Sequence, residues 1–317
     1  MQPQITILMA TRNGERYLPA QLESILSQSH RNWRLIVSDD GSTDATTSIV
    51  RNYAATRPSG RIELVAGPER GATANFLWLI RQADASGWVA FSDQDDIWNP
   101  DKLARAVDWL ARQDGPAVYA ARTTICDENM NELAPAPHFP GPFGFRNALV
   151  QACLPGNTTV VNAAALRILQ SGAAAADAAG VISHDWWVYQ LLSGAGARIR
   201  RDDAQVVRYR QHGNNVMGRN DTPRARAARF SMLFDGSYAG WIARNQVALE
   251  DARDLLLPEN RRLLEGFGRL IEASGPRAVA QALRMRLYRQ SRTGTIAIMA
   301  AALAGRLRLP DHERGVA

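Results

Sequence analysis

In the first third of the chain, short continuous apolar runs alternate with segments whose apolar residues recur every three or four positions. The runs are Ile5–Ala10 (ITILMA), Arg34–Asp40 (RLIVSDD), Arg61–Ala66 (RIELVA), Trp88–Asp93 (WVAFSD) and Ala117–Arg122 (AVYAAR). Their length and lack of alternation predict strands buried on both faces, as in a parallel sheet. Between them lie helix patterns. Leu18, Leu22, Ile25 and Leu26 mark the first. Ser42–Ala54 has Ser42 or Thr43 as its N-cap. Ala72–Asp84 follows, and then Asn99–Arg112 with Asn99 capping and Pro100 at the first helical position. Strand and helix in strict alternation predict an α/β fold with right-handed crossovers and a mostly parallel sheet flanked by helices.

The pattern changes after a Pro/Gly-rich stretch at Ala134–Phe145 (APAPHFPGPFGF). Thr158–Asn162 predicts a strand, Ser183–Gly194 a helix, and Gln205–Arg210 a strand. GAAAADAAG (Gly172–Gly180) predicts a helix end or a loose linker. Beyond about residue 220 the signal is helical throughout, in Arg224–Phe234, Ala239–Leu257, Asn260–Ala273 and Arg277–Gln290. The expected division is 1–218 for the α/β domain and 219–317 for a basic α-helical C-terminal region.

The 317 residues, 46% hydrophobic and 21% charged, have ordinary globular composition. No apolar run reaches the ~18 residues a membrane-spanning helix needs, and the N-terminus lacks a signal-peptide pattern. Two cysteines, Cys126 and Cys153, make no disulfide framework and fit a reducing compartment, so the expected location is cytoplasmic. The net charge of +6 is uneven: residues 219–317 hold 17 arginines against 10 acids. Lys102 is the sole lysine. Arginine richness also follows from codon bias and is not taken as phosphate recognition; no nucleic-acid partner is expected. Arg284, Arg286, Arg289 and Arg292 precede an apolar run too short to span a bilayer. That arrangement suits a membrane surface, an ordinary packed helix with a solvated basic face, or an oligomer contact.

Ligands of open α/β sheets bind where strands end at their carboxyl side. Three polar groups fall there: Thr11–Asn13, Asp39–Asp40, and Asp93, Asp95 and Asp96. An aspartate at such an end either accepts a base N–H or caps the next helix. GxGxxG and GxxxxGK[ST] loops are absent from the sequence, so a nucleotide's diphosphate would need a cation, and Mg2+ or Mn2+ on hard carboxylate oxygens supplies one. The EF-hand pattern fails, since its glycine and glutamate positions hold Trp98 and Ala104. An aspartyl-phosphatase reading has only Lys102 as its lysine. Asp185, before Trp186 and Trp187, is either a general base walled from water or a helix-start carboxylate. Arg208, Arg210 and His212 suit a diphosphate, or form a solvated basic edge.

Taken together, Thr11–Thr46 (TRNGERYLPAQLESILSQSHRNWRLIVSDDGSTDAT), Phe91–Leu103 (FSDQDDIWNPDKL), Gly156–Asn162 (GNTTVVN), His184–Tyr189 (HDWWVY) and Tyr209–Gly218 (YRQHGNNVMG) resemble the inverting family 2 glycosyltransferases of the GT-A fold, in their rhamnosyltransferase-like branch. The resemblance implies nucleotide-sugar transfer in bacterial surface-polysaccharide synthesis. It gives Thr11, Asn13, Asp40, Asp93 and Arg210 to the nucleotide, and Asp93, Asp95 and His212 to the metal. Asp185 becomes the base that deprotonates the acceptor, and Gly156, Asn157, Thr158 and Trp186 the acceptor side. His184 stands where the family usually has a carboxylate. The QxxRW motif of processive synthases is absent from the sequence, which implies single addition. The implied partners are a dTDP- or UDP-type donor and a glycan or lipid-linked acceptor, met at the inner face of the cell membrane. The rival readings are a binding module that has lost turnover and a nucleotidyltransferase.

Overall fold

The computed structural model describes residues 3–213 and 231–308. Most of the helix expected at Arg224–Phe234, the boundary near 218 and Gly218 itself lie outside the described residues. In chain order the elements are β1 (Ile5–Thr11), α1 (Leu18–Leu26), β2 (Trp33–Asp39), α2 (Thr46–Ala55), β3 (Ile62–Ala66), α3 (Ala72–Gln82), β4 (Trp88–Ser92), β5 (Ile97–Trp98), α4 (Lys102–Leu110) and β6 (Ala117–Cys126). Then follow β7 (Glu132–Pro135), α5 (Phe145–Ala148), β8 (Val160–Val161), α6 (Ala163–Ala179), α7 (His184–Gly194), β9 (Arg198–Arg210), α8 (Ser237–Asp251), α9 (Pro258–Glu272), α10 (Gly275–Arg284) and α11 (Arg292–Leu303).

Among the described residues the strands form one sheet in the order β3-β2-β1-β4-β8-β6-β9-β5, with β7 paired to β6. β1 to β4 run parallel. β8 inserts antiparallel between β4 and β6, and β6 and β9 are again parallel. The mostly parallel sheet is thus as the alternating pattern predicts. Each central strand feeds two cores. Ile5, Ile7 and Met9 face α1, α2 and α4, while Leu8, Val89 and Phe91 face α3, α6 and α7. That double burial explains why these strands read as continuous apolar runs. The second core continues into Leu249, Leu264, Phe267 and Leu270, so the C-terminal helices share it with α6 and α7.

Several local expectations change. The helix expected from Ser42 or Thr43 begins at Thr46. Ser42 instead closes a turn on Asp39, donating its N–H at 2.9 Å and its hydroxyl at 2.5 Å, and Asp44 takes the Thr46 N–H at 2.9 Å. Asn99 does not cap α4 with its side chain, which donates to the Gln205 carbonyl at 2.7 Å. GAAAADAAG is helical to Ala179 and ends on Gly180, whose φ of 62° gives the left-handed cap that glycine tolerates best. Alanine's high helix propensity, with Asn162 capping, accounts for it. The segment Arg277–Gln290 stops being helical at Arg284. No described helix is long and apolar enough to cross a membrane.

Candidate active site

The register of β1 with its neighbours brings the candidate groups to one edge. Thr11 lies opposite Asp39 and Met9 opposite Ser92, so the chain leaves β1, β2 and β4 side by side. Side chains then lace the first two loops together. Asn13, at a φ of 48° that asparagine tolerates, gives its N–H to Ser42 Oγ at 2.8 Å and takes the Thr43 N–H at 2.9 Å. Gly14 N–H donates to Thr46 Oγ1 at 2.7 Å, and Glu15 N–H to Asp44 at 3.0 Å. Thr11 is buried, with its hydroxyl 3.3 Å from both the Ser38 carbonyl and Asp39. Asp40 is 3% exposed. Its Oδ2 accepts the Gly71 N–H at 2.7 Å, whereas its buried Oδ1 has no hydrogen-bond partner among the described residues. A buried carboxylate oxygen left without a donor is costly; a ligand N–H would relieve it.

The acidic loop is tied to the first loop by Gln94, whose amide accepts from Arg12 N–H and donates to Arg12 O, both at 3.0 Å. From beneath, Gln21 donates to Ser92 Oγ at 2.8 Å and Ser24 Oγ accepts the Trp98 N–H at 3.0 Å. The loop's carboxyls are crowded. Burial pushes Asp93 up to about 7, with repulsion from Asp95 and Asp185 adding to it. Burial, with repulsion from Asp95 and Asp93, holds Asp96 well above the usual carboxylate range. Lys102 is fully buried close to them, its Nζ 2.9 Å from the centroid of the Trp98 ring, and burial holds its pKa well below that of an exposed lysine. Asp95 Oδ2 is 2.8 Å from His212 Nε2, both largely enclosed. Among the described residues no group of three or more metal-type side chains stands preassembled. The donor chemistry nevertheless fits a hard cation: Mg2+ and Mn2+ take one or two carboxylates and complete their shells with phosphate oxygens and water.

Two consecutive residues join this loop to the candidate base. Asn157 donates to Asp96 Oδ2 at 2.7 Å, and Gly156 N–H donates to Asp185 Oδ2 at 3.4 Å. Asp185 opens α7, where its Oδ1 accepts the Trp186 N–H at 2.7 Å and the Ser183 hydroxyl. His184 stacks on Phe76 with ring centroids 3.9 Å apart, and burial pushes its pKa down to about 4.

Three expected contacts are revised by this placement. Thr158 is fully buried and its hydroxyl bonds the backbone of Ala121 and Pro155. Trp186 is 5% exposed, donates its indole N–H to the Ala148 carbonyl at 2.7 Å and stacks on Tyr238. These two side chains lie beneath the crevice and leave no surface for an acceptor. Arg210 is 6% exposed and donates to the carbonyls of Asp95 at 2.8 Å and Glu128 at 2.5 Å, its guanidinium over the Tyr17 ring. Reaching a diphosphate would require it to surrender those bonds. Gln94, Ser183, Tyr17 and Glu128 were not singled out by the sequence. Tyr17 donates to Glu128 Oε1 at 2.6 Å across 111 positions, which no local pattern signals.

Residues 6–167 match the model of a family described as Glycosyl transferase family 2. The chain is 29% identical over 252 residues to the dTDP-rhamnosyl transferase RfbG of Shigella flexneri, covering 77% of this chain and 85% of that protein. It is 28% identical over 115 residues to the UDP-Glc:alpha-D-GlcNAc-diphosphoundecaprenol beta-1,3-glucosyltransferase WfgD of Escherichia coli, 36% of this chain and 44% of that one. Among solved structures it is similar to S. aureus TarS 1–349 in complex with UDP-GlcNAc, with a TM-score of 0.52, 16% identity and 89% of each chain covered. A second is the mannosyltransferase PcManGT from Pyrobaculum calidifontis in complex with GDP-Man and Mn2+, with a TM-score of 0.50, 17% identity, and 96% and 87% covered. At these identities the structural likeness shows the fold alone.

Proposed function

The chain belongs to glycosyl transferase family 2 and is a glycosyltransferase of GT-A fold, and from that membership we propose that it moves a sugar, rhamnose foremost, from a dTDP- or UDP-type donor to a hydroxyl of a glycan or lipid-linked glycan, inverting the anomeric centre, in the building of a bacterial surface polysaccharide. The RfbG and WfgD relatives support the donor and acceptor classes, and the nucleotide sugars bound by similar folds support a nucleotide-sugar donor. The observation that carries the reading is the Gly156–Asn157 step, which touches Asp185 on one side and Asp96 of the acidic loop on the other.

Each residue then has a task. Asp40 receives the ring N–H of the base through its Oδ1, which has no hydrogen-bond partner among the described residues. Thr11 and Asn13 shape the loop against which the nucleoside rests. Asp95, with Asp93 and His212 beside it, would hold Mg2+ or Mn2+. When bound there, such a cation offsets the negative charge that grows on the leaving diphosphate. Asp185, held by the Trp186 N–H and the Ser183 hydroxyl, takes the proton of the acceptor hydroxyl as its oxygen attacks the anomeric carbon. The C1–O bond to the diphosphate breaks on the opposite face, and the proton stays on Asp185 until solvent takes it. Gly156 and Asn157, buried like Thr158, serve the acceptor side by holding Asp185 and Asp96 in place.

The test is transfer from radiolabelled dTDP-rhamnose and UDP-sugars to lipid-linked glycan acceptors, run beside a thermal-shift panel of nucleoside diphosphates with Mn2+. Transfer together with a shift by one pyrimidine diphosphate supports the reading. Nucleotide binding without any transfer or donor hydrolysis leaves a binding module and overturns it.

A further inference from the structure

The last described helices carry a charge pattern unlike the rest of the chain. Between Ala273 and Pro310 there are seven arginines and no aspartate or glutamate. α10 exposes Arg277, Ala280, Leu283 and Arg284, and α11 exposes Arg292, Ile296, Ala300 and Leu303, each set at three- and four-residue spacing. Those spacings put each set on one stripe of its helix. Leu283, Ile296 and Leu303 are 60%, 67% and 54% exposed, the most exposed large apolar side chains among the described residues. The opposite faces are already satisfied: Ala278, Ala282, Ala297, Ile298, Ala301 and Ala302 are buried in the shared core. The outward aliphatic residues therefore bury less than half of their surface in the fold. Among the described residues Arg277, Arg286, Arg292 and Arg306 enter no ion pair.

We infer that the outward faces of α10 and α11 form a docking surface for an anionic phospholipid bilayer. Guanidinium forks match phosphate oxygens two at a time. Leu283, Ile296 and Leu303 are long enough to enter the boundary between headgroups and acyl chains, with arginines at headgroup level beside them. A protein partner would favour a contiguous apolar centre with aromatic anchors, whereas here the aliphatic tips are separated by arginine and alanine.

The surface is also bolted to the acceptor side. In the turn between α10 and α11, Gln290 donates its N–H to Gln151 Oε1 at 2.8 Å and its amide to the Pro142 carbonyl at 3.0 Å, and accepts the Gly141 N–H at 2.8 Å. Asn147 donates to the Tyr288 carbonyl at 3.1 Å. The segment so clamped leads into the Pro155–Thr158 turn that contacts Asp185. A bilayer on α10 and α11 would therefore rest on the same block that carries the acceptor-side turn; this link, unlike the docking surface itself, depends on the transferase reading given above.

The experiment is co-sedimentation of the full chain with phosphatidylcholine vesicles and with vesicles containing phosphatidylglycerol, at low and high salt. The expected result is binding to the anionic vesicles alone, weakened by salt. The set Arg277→Ala, Arg284→Ala, Arg292→Ala and the pair Leu283→Ser, Ile296→Ser should each reduce the partition coefficient about tenfold or more. Both should keep the wild-type thermal shift with nucleoside diphosphate, which reports that fold and donor site are intact. The inference is overturned if the wild type stays in the supernatant with anionic vesicles, or if both variants bind as the wild type does. It is equally overturned if gel filtration shows a dimer that Leu283→Ser, Ile296→Ser abolishes while vesicle binding persists. A wild type that binds vesicles but shifts with no nucleotide would remove the donor reading and leave the docking surface standing.

Discussion

Replacing Gly156 with alanine would place a methyl group between the two residues that open α7. An added Cβ would lie 2.7 Å from His184 Nε2 and 3.2 Å from Asp185 Cβ. Ordinary contact begins at 3.4 Å, so one side must yield by about 0.7 Å, the difference between 2.7 and 3.4. His184 cannot easily move away, because its ring is stacked on Phe76 at 3.9 Å and sits 5.5 Å from the Phe91 centroid. The displacement therefore falls on the Gly156 turn and on Asp185, which loses the 3.4 Å bond from Gly156 N–H. A misplacement approaching 1 Å in a reacting group lowers turnover by about 100-fold, and overpacking of this kind lowers stability by about 1–3 kcal/mol. Steady-state kinetics of Gly156→Ala should show kcat reduced by roughly that factor, with nucleotide affinity by calorimetry near the wild-type value and a folded protein by circular dichroism. A variant with wild-type kcat would mean that Asp185 is not positioned by this turn, or is not the base.

Other outcomes follow from the same geometry. Asp185→Asn keeps the shape and removes the proton acceptor, so kcat should drop about 100-fold or more while nucleotide affinity holds; initial-rate transfer assays decide it. Gln94→Ala deletes both bonds to the Arg12 backbone and should weaken nucleoside diphosphate binding about tenfold in calorimetry, as the first loop loses its tie; an unchanged affinity would refute that role. His184, pushed down to about 4 by burial, is neutral in the fold, whereas the unfolded chain takes up the proton near pH 6.5. Its contribution to stability is therefore complete above about pH 6.5 and is lost as the pH falls toward 4. Melting temperatures across that window should decline less steeply in His184→Phe than in the wild type, and parallel curves would contradict the burial of a neutral ring.

How much of this was legible in the sequence follows from which interactions are local. β1, β2 and β4 were visible because two-sided burial writes an unbroken apolar run, and β3, at the sheet edge with Ile62 alone of its residues buried, by its length and composition; α6 was not read as a helix, and Gly172–Gly180 within it was taken for a helix end or a loose linker. β5 and β7 were not visible. β5 is two residues long and exists through pairing with β9, Ile97 opposite Arg208, and β7 exists through its hairpin with β6. β9 runs from Arg198, well before the apolar Val206 and Val207, because its first half is a half-exposed polar strand supported by β6. At the candidate site, Asp40, Asp93, Asp95 and Asp185 were singled out through their positions after strands or at a helix start. The bonds that aim them were not found. Asn157 meets Asp96 across 61 positions and Gln94 meets Arg12 across 82. Thr158 and Trp186 were placed on the acceptor side by the family resemblance, but the β6 backbone and Ala148 claim their polar atoms.

Isothermal titration of dTDP and UDP, with Mn2+ and then with chelator, into the wild type and Asp95→Ala tests the account most directly. The prediction is that one of the two nucleotides binds to the wild type in the presence of Mn2+, and that chelation or loss of the Asp95 carboxylate weakens it by about tenfold or more. Equal affinity in all four conditions would contradict the central claim that the acidic loop meets a pyrophosphate through a cation.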